Sequence, residues 1–331
     1  MLAFLAVTAC SSTAQKENAG LDGGAPDSEA GGIHAWTQVS NGLPPKGNAY
    51  AQSIAAVGTS LFVGLGVSGG AYLSTDNGAS WAPVNNGLMP TGGLDAFAVR
   101  GTDLFAALGD IYRTTDNGTS WQALNSQTVA TAVVVSGQTV IAGGIGLRYS
   151  TNNGATWANG ANNNITLVGA LAFVGTSVFC GSAYQMSTPA PPSVQRSDDN
   201  GATWAPASTG IPNTLAVISL VGNGAQVLAG TKAGGGVYAS TDNGATWTAK
   251  GTGLIAAGSN ANVWTLAAAG GKIFAGTDDG VFVSTDSAAS WTALDNGDFP
   301  QDAAKNVYGF AVIGSTLFAA TYTTGVWRHA L

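Results

Sequence analysis

Ser74-Thr75-Asp76-Asn77-Gly78-Ala79-Ser80-Trp81 is one of six copies of a single octet. The others open at Thr114, Ser150, Ser197, Ser240 and Ser284 and close on Trp121, Trp157, Trp204, Trp247 and Trp291. A unit recurring every forty or so residues signals a fold built from stacked copies of one supersecondary element. The residue types in the octet have physical reasons. Asn-Gly favours a tight hairpin turn, because glycine takes positive φ without a steric penalty. The Asp carboxylate accepts hydrogen bonds from the turn amides. The tryptophan supplies a broad apolar plate to bury beside the turn. Two copies depart from the pattern. Asn152 stands where the others have Asp76, Asp116, Asp199, Asp242 and Asp286, and an Asn side chain can make similar turn bonds. Ser287-Ala288 replaces Asn-Gly in the last copy, which predicts a differently shaped turn there.

Outward from each octet the same strands recur. Before it lie a first apolar strand ending in a turn such as Gly58-Thr59-Ser60, a second strand such as Leu61-Phe62-Val63, and a third such as Ala71-Tyr72-Leu73. The tryptophan opens a fourth. Second strands occur seven times, the last being Leu317-Phe318-Ala319, yet there are only six octets. The chain's final repeat stops in a third strand, Gly325-Val326-Trp327-Arg328. The segment Trp36-Thr37-Gln38-Val39-Ser40-Asn41-Gly42-Leu43 matches Trp81 to Leu88, a fourth strand with no octet before it. It is expected to complete the C-terminal blade and close the ring, removing two sheet edges that would otherwise template aggregation. The fold predicted is all-β: a seven-bladed propeller of four-stranded blades.

The octet Ser/Thr-x-Asp-x-Gly-x-x-Trp resembles the Asp-box, or BNR, repeat, and the resemblance covers nearly everything after residue 35. It implies a sialidase-like or photosystem II assembly-factor-like propeller. Enzymes of the sialidase family need three converging arginines, a tyrosine nucleophile with a glutamate, and an aspartate. Here Arg113, Arg148, Arg196 and Arg328 occupy one repeated strand position rather than a triad, and both glutamates, Glu17 and Glu29, precede the propeller. The Arg-Ile-Pro opening of that family is absent, and its members have six blades. The xyloglucanase-like enzymes place aspartates between two propellers, and this chain carries one. Members of the assembly-factor-like group are single seven-bladed scaffolds, which match this chain in blade number and size; their partner-binding arginine patch is not visible here.

Charged residues make up 9% of the 331, with 48 glycines and a formal net charge of −7. The sparse, scattered Lys and Arg offer no stripe to neutralise phosphates, which argues against a nucleic-acid partner. The two histidines, His34 and His329, stand in no nucleophile motif or zinc-ligand spacing, so neither a metal nor another cofactor is expected. Of the two cysteines, Cys180 reads as a small core residue. Cys10 reads differently. Residues 1–9 form a short apolar run, and Val7-Thr8-Ala9-Cys10 resembles a bacterial lipobox, implying that Cys10 is lipidated. Residues 11–32 are Ser-, Ala- and Gly-rich with little apolar surface and read as a flexible tether. The expected organisation is a lipoprotein leader over 1–10, a tether over 11–32 and the propeller over 33–331. The expected location is the bacterial cell envelope, at the outer membrane, periplasm or cell surface, with the lipid as the only membrane contact.

In a propeller the octet turns lie at the bottom and ligands meet the top, at the mouth of the channel. Counting six residues back from the glycine of each first turn gives Gln52, Asp95, Thr131, Gly169, Ala216, Trp264 and Tyr308. The top loops between second and third strands add Asp110, Tyr184, Gln185, Lys232, Asp278, Asp279 and Tyr322. Gln52, Asp95, Trp264, Asp278, Asp279, Tyr308 and Tyr322 are the candidate ligand contacts, richest over blades five to seven. Trp264 and Tyr308 have an alternative role as a plug in the pore. No catalytic residue is assigned, and the octet residues, Asn152 included, are read as structural. The expected function is non-catalytic: a monomeric propeller binding a protein or glycan partner through its top face. The alternative is a divergent sialidase-like glycoside hydrolase using Asp95 with Asp278 or Asp279, which requires carboxyls about 5–10 Å apart.

Overall fold

The computed structural model describes residues 35–45, 50–67, 69–89, 92–162, 165–183, 193–254, 261–294, 299 and 306–331. Cys10, His34, Tyr184 and Gln185 lie outside the described residues, as do the leader and tether. The structure is a seven-bladed β-propeller of four-stranded antiparallel sheets. The first blade runs Ala51–Val57, Ser60–Leu65, Gly70–Ser74 and Ala82–Pro83 from the axis outward. The second strands are the most deeply buried, since sheets on both sides cover them; Leu61, Phe62 and Val63 expose nothing. Their alternating side chains fill the separate apolar clusters between neighbouring blades.

The last blade is completed from the other end of the chain. Its inner strands are Val307–Ile313, Thr316–Thr321 and Gly325–Ala330, and its outer strand is Thr37–Gln38. Thr37 pairs with Arg328 and Gln38 with Trp327. The Val39 amide then donates to the Val326 carbonyl at 2.8 Å.

Five of the six octet tryptophans bridge to the blade before them. Trp81 donates its indole N–H to the Val39 carbonyl at 2.7 Å, and Trp121 does the same to Val84 at 2.8 Å. Trp157, Trp247 and Trp291 reach Leu124, Ala207 and Lys250 at 2.7–2.9 Å. Trp204 is the exception: it bonds Gly201 of its own turn at 2.9 Å. Beside it lies Gly160, where a Cβ would stand only 2.6 Å from the indole nitrogen. Backbones meet as closely at Gly42, Gly87, Gly210 and Gly253, each at positive φ with a tryptophan carbonyl of the next blade against its Cα. A side chain at any of these four would collide with that carbonyl.

The octet turns share one bonding scheme. In the first, Ser74 Oγ donates to Asp76 Oδ1 at 2.7 Å and accepts from the Gly78 amide at 2.8 Å. Asp76 also receives the Ser80 amide at 2.9 Å and the Ser80 hydroxyl. Asn152 reproduces this, accepting from Ser150 and the Thr156 amide while its own amide donates to Thr156 Oγ1. The last turn corrects an expectation. Ser287 and Ala288 take φ of 58° and 68°, the same left-handed path as Asn77 and Gly78 at 55° and 84°. Ala288 still donates to Ser284 Oγ at 2.9 Å, and Asp286 still holds the Ser290 amide at 2.9 Å. The side-chain hydrogen bonds, not the Asn-Gly pair, impose the shape.

Candidate functional site

Six of the seven innermost strands begin at the top with a bulge; that of blade two, Ala96–Arg100, has none, and Asp95 stands just before it. Register slips by one residue between Ala51 and Ser53, Val263 and Thr265, and Val307 and Gly309, leaving Gln52, Trp264 and Tyr308 unpaired at equivalent positions. A bulge re-aims the side chain it carries. Thr131 and Gly169 occupy the same position. In the fifth blade it is Ile218, not Ala216, because the slip falls between Val217 and Ser219. The error arises from Gly222-Asn223-Gly224. The turn glycine is Gly224, at φ 61°, and counting from Gly222 lands two residues early.

Ala216, Ile218, Trp264 and Tyr308 form one buried cluster with Tyr50 packed against it. Trp264 is 8% and Tyr308 4% exposed, so both close the channel mouth rather than stand open to a ligand. Their rings meet edge to face at 5.4 Å. Tyr322 lies above, edge to face with Tyr308 at 5.8 Å and tilted 48° to Tyr50 at 4.8 Å. Tyr50 can lie there because Gly66 has no Cβ; one would collide with the Tyr50 ring. Tyr50 carries no repeat signal, because it precedes the strand Ala51–Val57 and lies off the counted position.

Asp278, Asp110 and Asp95 are engaged by donors of the protein itself. Asp278 receives the Trp264 indole N–H at 2.5 Å and two Asn262 donors at 2.8 Å. Asp110 receives Ile111 and Ser126 amides at 2.7 Å and the Ser126 hydroxyl. Gln52 Nε2 donates to Asp95 Oδ1. Burial pushes the Asp95 carboxyl up to about 8, against a smaller lowering by Gln52. Asp279 stays exposed, its amide donating to Thr277 Oγ1 at 3.0 Å. Lys232 sets its ammonium 5.4 Å from the Trp264 ring centre, and burial lowers its pKa. Burial raises the Tyr50 phenol and takes Tyr308 up to about 12. Phenols moved further from ionisation are donors at neutral pH and poor nucleophiles. Among the described residues no three of His, Cys, Asp or Glu gather as a metal site requires.

Exposed large hydrophobics gather at this end among the described residues. Among the described residues the exposed large hydrophobics are Val67, Met89, Val129, Ile145 and Tyr322, at 41% to 66%. Val67, Ile145 and Tyr322 sit in the links between second and third strands, Met89 and Val129 in the links from one blade to the next. Both kinds of link lie on the top face, over the last blade and blades one to three.

Comparisons with known proteins agree on the fold. The profile of the DUF6242 beta propeller domain matches residues 176–330. No curated protein matches the chain in sequence. Among solved structures, YCF48 bound to D1 peptide is similar, with a TM-score of 0.68 and 13% identity over 92% of this chain and 98% of that one. The extracellular domain of the putative one component system BT4673 from B. thetaiotaomicron superposes with a TM-score of 0.69 and 13% identity, over 90% of this chain and 40% of that one. A GH74 xyloglucanase from Xanthomonas campestris gives 0.68 and 17% identity, over 89% of this chain and 53% of that one. The chain thus spans less than two thirds of the last two. The similar propellers include a peptide-bound protein, the extracellular domain of a putative one component system and a xyloglucanase, so the fold by itself selects no chemistry.

Proposed function

We propose that this chain is a non-catalytic Asp-box propeller of the bacterial cell envelope, anchored through a lipid on Cys10, that binds a protein or glycan partner with its top face. One observation carries the reading: the exposed large hydrophobics of the described residues all lie on that face. Scattered single apolar residues need no explanation, but a set gathered on one end of a monomer marks an interaction surface. The bottom face is occupied by octet turns whose side chains are consumed in local hydrogen bonds. The extracellular placement of the BT4673 domain and the peptide on YCF48 are compatible with this role.

The test uses the full chain carrying Cys10→Ser, which keeps it unlipidated, against a glycan panel and against cross-linked envelope proteins of its host. Binding that is lost in Tyr322→Asp and Ile145→Asp, with unchanged melting, supports the top face. Binding indifferent to both substitutions would refute it.

A second reading, a divergent sialidase-like glycoside hydrolase, draws on Asp95. A carboxyl pushed up to about 8 holds a proton at neutral pH, as a general acid must. Under that reading Asp95→Asn and Asp278→Asn each abolish release of reducing ends from polysaccharide. Unchanged release in either variant removes it.

A further inference from the structure

Lys232 is a half-buried cation that no acid among the described residues answers. The ion pairs of those residues join Arg100 and Arg113 to Asp103, and Arg196 to Asp198. Lys232 enters none of them. Its ammonium lies instead 5.4 Å from the centre of the Trp264 ring, beside the channel mouth. Burial alone lowers its pKa, with no carboxylate near enough to raise it. Taking an ammonium out of water without an opposite charge is costly, and one indole face recovers only part of the loss. Ionisable groups placed in this way gather at functional sites.

The loop that carries Lys232 is fixed by its own backbone. It joins Gln226–Thr231 to Val237–Ser240 on the top of blade five. The Lys232 amide donates to the Ala216 carbonyl at 3.1 Å, and the Gly234 amide to the Ala261 carbonyl at 3.2 Å. The Ala233 amide donates to Asn262 Oδ1 at 3.0 Å. Ala233 takes φ of 57°, left-handed backbone that alanine adopts at a cost. Asn262 in turn gives its side-chain amide to Asp278 Oδ2 at 2.8 Å, and Asp278 Oδ1 receives the Trp264 indole. Asp278 is thus spent on placing the loop and the indole, and it borders the same ring as Lys232 without pairing with it. The ammonium is set in position before any ligand arrives, which lowers the entropic cost of binding.

The surroundings select the ligand. Lys232 is one positive charge in a chain of net charge −7. Asp278 shares its indole, so a dianion such as phosphate would meet repulsion as well as attraction. One cation suits one carboxylate. Its flanks are hydrocarbon: Trp264 and Tyr308 close the channel mouth, and the exposed Tyr322 stands edge to face with Tyr308. The indole N–H belongs to Asp278, and the Tyr308 hydroxyl is engaged by Asn306. Little is left beside the ammonium to bond the hydroxyls of a sugar acid. An acidic side chain among apolar neighbours fits both the charge and the rings.

We infer that Lys232 is the docking point for one acidic side chain, aspartate or glutamate, of a protein partner seated on the top face. The inference rests on the top-face reading and narrows its partner from protein or glycan to a protein that presents a carboxylate among apolar residues. A charge pair formed there is desolvated on both sides, so losing either member is felt mainly in the dissociation rate.

The test uses the full chain carrying Cys10→Ser, with isotope-labelled lysine. It is titrated with the peptides acetyl-Phe-Glu-Phe-amide and acetyl-Phe-Gln-Phe-amide, and with methyl glucuronide as the sugar-acid probe. The Lys232 ε-methylene resonance should shift saturably with the glutamate peptide, which should bind at least about tenfold more tightly than the glutamine peptide. Raised salt should narrow that gap. Lys232→Met keeps the stem and loses the charge. It should bind the two peptides alike and melt no lower than the parent, because an unanswered charge has gone. A resonance that ignores the glutamate peptide, or that answers both peptides equally, overturns the inference. So does a shift with methyl glucuronide and none with the glutamate peptide, which would make the ligand a sugar acid. If Lys232→Met lowers the melting temperature, the comparison of the two peptides on the parent chain decides. Failure here leaves the top-face reading standing, since that is judged by the Tyr322 and Ile145 variants against host partners.

Discussion

Trp36 donates its indole N–H to the carbonyl of Leu294 at 2.9 Å, across 258 residues of chain. It thereby repeats, without an octet before it, the bridge that Trp81 and Trp121 make from within theirs. Trp36 is also edge to face with Phe299 at 4.9 Å and lies 5.0 Å from the His329 ring. Closure is thus a side-chain lock as well as a strand pair. Trp36→Ala is expected to cost about 3–5 kcal/mol, as loss of a buried indole does. Trp36→Phe, which loses mainly the hydrogen bond, should cost about 1 kcal/mol. Deleting residues 33–44 removes the lock and the strand together and should give an unfolded or aggregating product. Denaturant unfolding checks the point variants, and sedimentation the deletion; a deletion that stays soluble and melts normally would refute closure by this segment.

The octet carboxylates dictate an acid response. Side-chain and backbone donors from the turn hold Asp76, Asp116, Asp242 and Asp286 down to about 2. A carboxyl depressed in the folded state stabilises above its unfolded pKa and loses that contribution as pH falls through the folded one. The melting temperature should therefore drop between about pH 4 and pH 2. Asp242→Asn should shrink the drop and leave the neutral-pH fold intact, because Asn152 already serves in the same place. A drop of full size in that variant would show that the turn carboxylates are not its source.

How much of this was legible follows from what each residue has to do. The blades and their closure could be read from the sequence, because a repeated octet and an orphan fourth strand are matters of spacing. The last turn departs from what its spacing predicts because Ser284 and Asp286 hold it through hydrogen bonds that spacing does not display. Two glycines in Gly222-Asn223-Gly224 hid the true turn and exchanged Ile218 for Ala216. The accessible surface was harder still. Val67 and Ile145 look like the ends of buried strands, and only their place beyond the last ladder pair leaves them outside. Trp264 and Tyr308 fit either a ligand plate or a pore plug by position, and the packing of Tyr50 and Ile218 around them decides for the plug.

Asp95 should make the protein less stable as pH rises. Its folded pKa of about 8 lies above the ordinary carboxyl value, so the unfolded chain ionises first. The favourable contribution is complete below about pH 4 and is lost progressively up to about pH 8. Asp95→Asn keeps an acceptor for Gln52 and has no charge to bury. It should match the parent near pH 4 and exceed it at pH 8, by on the order of 5 kcal/mol. Paired urea melts at the two pH values measure this. An equal difference at both would mean that the carboxyl is not held protonated by burial.

Trp264 and Tyr322 belong to one aromatic stack yet should answer differently to truncation. Trp264 is closed in by Ile218 and Tyr308, and its indole engages Asp278. Trp264→Ala empties that space and leaves a partly buried carboxylate short of a donor, so it should cost about 3–5 kcal/mol of stability. Tyr322 is 41% exposed and touches the stack only from above. Tyr322→Ala should change stability by about 1 kcal/mol or less while weakening partner binding by about tenfold or more. Measuring both quantities for both variants separates the plug from the contact surface. If Trp264→Ala melted like the parent and alone lost binding, the channel mouth would be the docking site, and the exposed tyrosine a bystander.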